Sequence, residues 1–317
     1  MPQALVCMSH SPLLHHTHPP AETEAAVEAA FAHARAFVAD FDPDIVVNFG
    51  PDHYNGFFYD LMPPFCIGFT ARGAGDYGSF AGELTVPAGI AEELAEFVHE
   101  RDLDVAISRQ MVVDHGAVQP MEILYQGDVA AKPVVPVFVN SVARPFVKMS
   151  RVRRFGAAVG EYFRATDKKV LFIGSGGLSH DPPVPQIATA TDAQRRLLTA
   201  GRNPTPEARA AREANTIRTA QEFAAGRADI QDLNPEWDRA FLDLCCSGDV
   251  EGFDAYDAGE MDAVAGHSSH EIRTWVAAYS ALRACGEYTV DYRFYRPIKE
   301  YIAGFAVTAA TLSPARS

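Results

Sequence analysis

The sequence predicts an α/β protein, one domain over residues 1–317, with a central, mostly parallel or mixed sheet flanked by helices and its functional groups at the carboxyl ends of strands. Three observations carry that prediction. Short β-prone apolar runs alternate with stretches of helical periodicity, histidines stand directly after several of those runs, and no repeat or low-complexity tract interrupts the alternation.

The first strand is expected over 4–8, an Ala-Leu-Val-Cys-Met run that ends in Ser9-His10-Ser11-Pro12. A loop rich in Pro and His follows, then a helix over about 21–40 in which Ala26, Ala30, Phe31, Ala34 and Phe37 recur at helical spacing. The next strand, 44–49, ends in Gly50-Pro51-Asp52-His53 and completes a β-α-β unit, with parallel pairing expected if its two strands share a sheet. Ligands in open α/β sheets gather beyond the carboxyl ends of strands, so His10 and His53 are candidate metal ligands.

Pro87 opens a helix over about 88–101. Strands are expected at 105–111, 133–140 and 169–174, the last two apolar almost throughout and therefore buried on both faces. His115 lies just past the first of them in Val112-Val-Asp-His-Gly116, and His180 closes Gly174-Ser-Gly-Gly-Leu-Ser-His180 after the last. Taken singly, His115 reads as a loop histidine bonded to a backbone carbonyl and His180 as a turn residue after a glycine-rich bend. Four histidines in the same relation to strands favour a shared site, and an imidazole moves a proton near neutral pH, so His115 and His180 are a candidate acid–base pair. Asp114 is a candidate to orient one of them.

From about 181 to 232 the texture changes, first to prolines (Pro182, Pro183, Pro185) and then to Ala, Arg, Glu and Thr, with Thr205-Pro-Glu-Ala as a helix start. This is expected to be a helical insertion over one face of the sheet, either a lid or an ordinary surface helix pair. Helices are expected at 237–246 and 269–283, and a strand at 301–311 returns to the sheet. Glu271 stands near the start of the later helix, whose Ile272, Trp275, Val276 and Tyr279 share one face. On that segment alone it reads as a helix cap or a balance to the helix dipole. Beside His10 and His53 it is the candidate third ligand, because two histidines and a carboxylate on one face of a divalent iron leave the opposite face open.

Composition narrows the partners. Charges sum to 27 − 41 = −14, which disfavours nucleic acid or an anionic membrane surface as a general partner. Five cysteines without C-x-x-C spacing argue for reduced thiols, and no basic leader or apolar run long enough to span a bilayer is evident, so a cytoplasmic protein is expected. Gly174-Ser-Gly-Gly177 lacks the Lys-Ser/Thr of a phosphate-binding loop, and no G-x-S-x-G elbow surrounds Ser175 or Ser179. His270-Glu271 begins like a zincin motif, but Thr274 stands where the second histidine belongs. His15, His16 and His18 read as a solvated loop, and Cys245-Cys246 as helix packing.

Six motifs together resemble the type II extradiol ring-cleaving dioxygenases. They are Ser9-His-Ser-Pro12, Pro51-Asp-His-Tyr-Asn-Gly-Phe-Phe-Tyr59, Met62-Pro-Pro-Phe-Cys66, Val113-Asp-His-Gly116, Gly174-Ser-Gly-Gly-Leu-Ser-His-Asp-Pro-Pro183 and His270-Glu-Ile-Arg-Thr-Trp275. The resemblance runs to the terminal Tyr295-Arg-Pro-Ile and Ile302-Ala-Gly-Phe305, nearly the whole chain. It implies an Fe(II) ion held by His10, His53 and Glu271, and an acid–base pair matched by His115 and His180. It further implies a catechol and O2 as small-molecule partners and a homo-oligomer. Within the family the likeness is greatest to members acting on catechols with a three-carbon carboxylate side chain at C3. Dioxygenases for other catechols or aminophenols, a metal-dependent hydrolase, and a non-enzymatic member of the fold are the alternatives.

Overall fold

The structure is a computed structural model that describes residues 2–314; residue 1 and residues 315–317, the extreme ends of the expected domain, lie outside the described residues. The chain begins β1 (Gln3–Met8), α1 (Ala21–Phe41), β2 (Ile45–Gly50), β3 (Phe65–Gly68), β4 (Ala71–Gly73) and α2 (Ala88–His99). Then come β5 (Ala106–Ser108), β6 (Met111–Val113), α3 (His115–Leu124), β7 (Val134–Val139), α4 (Met149–Arg164) and β8 (Val170–Ser175). The remainder is α5 (Asp192–Ala200), α6 (Pro206–Ala224), α7 (Pro235–Ser247), α8 (Ala258–Ala265), α9 (Ile272–Cys285), β9 (Tyr288–Ile298) and β10 (Ala303–Leu312).

Eight strands form one mixed sheet in the order β5-β3-β7-β2-β8-β1-β10-β9. Its centre, β7-β2-β8-β1, is parallel, while β10 and β9 extend it antiparallel. The first β-α-β unit is parallel as expected, but its two strands are not neighbours, because β8 lies between them and bonds to both. Every residue of β8 and of β7 is buried, in keeping with their apolar sequences.

Helices cover both faces of the sheet. Alternate strand residues point to opposite sides, so Leu5, Val47 and Phe172 join one core with Leu94, Phe155, Phe241, Trp275 and Tyr279 from α2, α4, α7 and α9. Val6, Val46 and Leu171 join the other with Val27 and Phe31 of α1, Met121 of α3 and Phe223 of α6. Helix α4 approaches α9 closely through Gly156 and Gly160, four residues apart and so on one face. A Cβ at Gly160 would stand 2.0 Å from the carbonyl oxygen of Ala281. The Gly160→Ala variant is therefore expected to lose about 2 kcal/mol despite alanine's better helix propensity, read as a lower urea midpoint; an unchanged midpoint would mean that the two helices separate freely.

Three expectations are corrected. The single strand expected over 105–111 is two: β5 lies at the sheet edge, Arg109-Gln110 bends the chain, and β6 pairs with β4 in a separate two-stranded sheet. The last strand starts at Ala303 because Lys299–Tyr301 forms a 3-10 turn and Ile302 is left-handed, with φ 50°. Strand β9 was not expected; half-buried and exposed positions alternate over its first six residues, and its outer charges, such as Asp291 and Arg293, suit an edge strand.

Candidate active site

Strands β2, β8 and β1 are adjacent and parallel, so their carboxyl ends open at one edge of the sheet, and His53, His180 and His10 follow those ends within a few residues. His115 arrives by another route, as the first residue of α3 after β6 of the small sheet. The rings of His10 lie 5.4 Å from those of both His53 and His115, and His53 stacks on His115 at 4.6 Å between centroids.

Glu271 closes the group. It ends the 3-10 turn Ser269–Glu271 and leads into α9, yet its side chain makes no capping hydrogen bond. Its carboxylate instead meets His53 Nε2 at 2.9 Å, His180 Nε2 at 3.3 Å and His10 Nε2 at 3.5 Å. The Gly177 N–H donates to its Oε2 at 2.9 Å. The glycine-rich bend after β8 is thus a seat for this carboxylate: a Cβ on Gly176 would stand 2.7 Å from the Glu271 backbone. The helix-cap reading of Glu271 does not hold.

The partners behind each imidazole fix its tautomer. Ser175 gives its one hydroxyl proton to the Gly116 carbonyl, so at 3.0 Å it can only accept from His10 Nδ1. His53 Nδ1 donates to Asp114 Oδ2 at 3.0 Å, His115 Nδ1 to Asp76 Oδ2 at 2.5 Å, and His180 Nδ1 to the Leu178 carbonyl at 2.9 Å. With all four Nδ1 atoms occupied, each ring has only Nε2 left to offer the site, and this is how a protein orients metal-ligating histidines. Asp114 therefore orients His53, and Asp76, which the sequence did not single out, orients His115.

The electrostatics follow from burial and charge. Burial and the neighbouring imidazoles push His10 down to about 3, the Glu271 charge notwithstanding. Burial also opposes protonation of His53 and His180, but carboxylates outweigh it, Asp114 and Glu271 for the first and Glu271 for the second, and both pKa values rise. Glu271 is held well below the usual carboxylate range by the histidines around it, although burial works the other way. His53 has a carboxylate oxygen at each ring nitrogen, Asp114 at Nδ1 and Glu271 at Nε2.

These donors fit a metal ion. Ligand atoms of His10, His53 and His115 lie within 4.8 Å of one another, and the Glu271 carboxylate is in contact with the first two. Asp76, Asp114 and His115 are as close together. That second group is disfavoured as a cation site, because Asp114 already accepts from His53, Asn55 and Gly116, and Asp76 from His115 and Asn55.

The cluster lines a cleft that it shares with mostly apolar and aromatic side chains. Its walls include Tyr77, Val184, Leu197, Arg212 and Ile302, so the 181–232 region, α5 and α6 included, contributes one side of it. His15, His16 and His18 are exposed, as expected of a solvated loop, and Cys245 is buried in the core while Cys246 is exposed. No described helix is long and apolar enough to cross a membrane. Besides Asp76, sequence reasoning missed the place of Arg212 on the cleft wall and the bond from Ser175 to His10. Asp76 sits in an unremarked Gly75-Asp-Tyr-Gly78 turn and Arg212 in a helix of many arginines, so neither carried a local signal.

Residues 4–306 match the family described as the catalytic LigB subunit of aromatic ring-opening dioxygenase. The chain is 75% identical over 312 residues to the 2,3-dihydroxyphenylpropionate/2,3-dihydroxicinnamic acid 1,2-dioxygenase of Rhodococcus globerulus, covering 98% of this chain and 99% of that one. It is 73% identical over 313 residues to the protein of the same name from Rhodococcus rhodochrous, covering 99% of each. With that from Paraburkholderia xenovorans (strain LB400) the identity is 52% over 302 residues, 95% of each chain.

Proposed function

The chain belongs to the LigB family of aromatic ring-opening dioxygenases, and from that premise we propose that it opens the ring of 2,3-dihydroxyphenylpropionate or 2,3-dihydroxycinnamate beside the diol, adding both atoms of O2 to give a 2-hydroxy-6-oxo-diene dicarboxylate. The observation that carries the reading is the convergence of four imidazole Nε2 atoms and the Glu271 carboxylate at the floor of one cleft.

His10, His53 and Glu271 would hold an Fe(II) ion, which would supply the redox chemistry toward O2 that the side chains lack. Glu271 is preferred to His115 as the third ligand on charge. A buried dication among neutral imidazoles alone would be uncompensated, and Glu271 is a carboxylate already ionised at the cluster.

His115 is the base. Asp76 behind its Nδ1 stabilises the imidazolium that forms when Nε2 takes a phenolic proton, as the carboxylate does in an Asp–His dyad. His180, backed by a neutral carbonyl, is the acid and gives its Nε2 proton to the departing oxygen as the ring opens. Asp114 and Ser175 keep His53 and His10 turned toward the site. The apolar cleft wall excludes water from the ring while the reaction proceeds.

The reading is tested by reconstituting the protein with Fe(II) without air, then admitting air with a panel of 3-substituted catechols. A yellow product that needs both iron and oxygen is expected. Activity with Zn(II), or turnover without O2, would replace ring cleavage by hydrolysis.

A further inference from the structure

We propose that the guanidinium of Arg212 binds the carboxylate of the substrate's side chain, and so makes the 181–232 region the specificity element of the enzyme; the proposal rests on the ring-cleavage reading above. Arg212 lies on α6 and lines the cleft. Among the described residues it is the only Arg or Lys that does so.

The side chain is fixed by the loop that carries a candidate metal ligand. Its Nη1 donates to the Tyr54 carbonyl at 3.2 Å and its Nη2 to Asn55 Oδ1 at 2.6 Å, the two residues that follow His53. Those bonds use two of five N–H donors. Arg212 forms no ion pair with any described residue, and the adjacent Glu213 is turned to the Tyr77 N–H at 2.8 Å. A half-buried guanidinium with free donors and no counter-charge, on the wall of a cleft, suits an anionic ligand group.

The rest of that wall suits the remainder of the molecule. Pro183, Val184, Leu197 and Ile302 line the same cleft with apolar surface, which suits a phenyl ring and a short carbon chain. Because Arg212 is bonded to the two residues after His53, its guanidinium lies beside the loop that brings His53 to the cluster. Overall the chain is strongly acidic, at −14, so an anionic substrate needs a local cation to be held.

The test compares wild type, Arg212→Gln and Arg212→Lys, each loaded with Fe(II), on 2,3-dihydroxyphenylpropionate and on uncharged 3-propylcatechol. Arg212→Gln is expected to lower kcat/KM for the acid about 30-fold more than for 3-propylcatechol, chiefly through KM, since hydrogen bonds to a charged group carry selectivity of that order. Arg212→Lys keeps the charge and is expected to fall between, a result that stands even if the glutamine variant fails to fold. Calorimetry with 3-phenylpropionate on the metal-free proteins should show the same order of affinities. Equal losses on both substrates, or an unaltered preference for the acid, would overturn the role of Arg212. Wild-type protein that opens neither ring would instead overturn the ring-cleavage reading.

Discussion

Glu271→Ala is expected to bind Fe(II) more than about 100-fold more weakly than wild type and to show no measurable ring cleavage at micromolar iron. The estimate is a floor: losing a hydrogen-bonding partner behind a ligand typically costs 10–100-fold in metal affinity, and here the ligand itself is removed. The carboxylate is also the one anion that faces His10, His53 and His180 together, so its loss leaves the cation without a counter-charge. Because deleting one partner of a buried charge network destabilises the fold, Glu271→Gln serves as a second variant. Its amide keeps the shape and an acceptor for the Gly177 N–H but not the charge. Metal content by atomic emission and folding by circular dichroism are measured on both. Full iron occupancy in either folded variant would remove Glu271 from the ligand set and pass the third place to His115, whose ligand atom lies within 4.8 Å of those of His10 and His53.

His115→Gln and His180→Gln, unlike Glu271→Ala, are expected to keep their metal. Each should hold about one iron per chain, as the assigned ligands are intact, while kcat falls by about 10²–10⁴-fold, the range associated with loss of a positioned acid or base. The backing groups predict how the two differ. His115 is paired with a carboxylate and His180 with a carbonyl, so the first variant should lose the deprotonation of the catechol and the second the protonation that accompanies ring opening. Hydrolysis of a synthetic seven-membered lactone bypasses the first of these steps, and His115→Gln should retain more of it. Turnover at the wild-type rate in either variant removes that histidine from the mechanism, and an iron-free His115→Gln protein makes His115 a ligand.

Much of the architecture was legible because local pattern and tertiary environment agree. β7 and β8 read as doubly buried strands since they are apolar throughout except for Ser175 at the end of β8, and α1 shows its buried face as Ala30, Phe31 and Ala34. Elements whose pattern is mixed were harder to see. β9 contains Asp291, Arg293 and Pro297, and it is a strand because it pairs along its length with β10 and not through its own composition. The break between β5 and β6 is likewise decided by partners, one strand meeting β3 and the other β4.

By itself the sequence singled out the candidate residues, His10, His53, His115, His180 and Glu271, each by its motif, and the strand ends after which three of them fall. Only the tertiary structure decided what stands behind them. That Glu271 leaves its helix end uncapped to face the histidines, that Asp76 rather than Asp114 backs His115, and that Arg212 looks into the cleft all depend on contacts between segments distant along the chain. The reason is physical. A motif records what a short stretch of chain offers, whereas a hydrogen bond across 39 residues or a carboxylate seated on a bend 94 residues away is set by how sheet and helices pack.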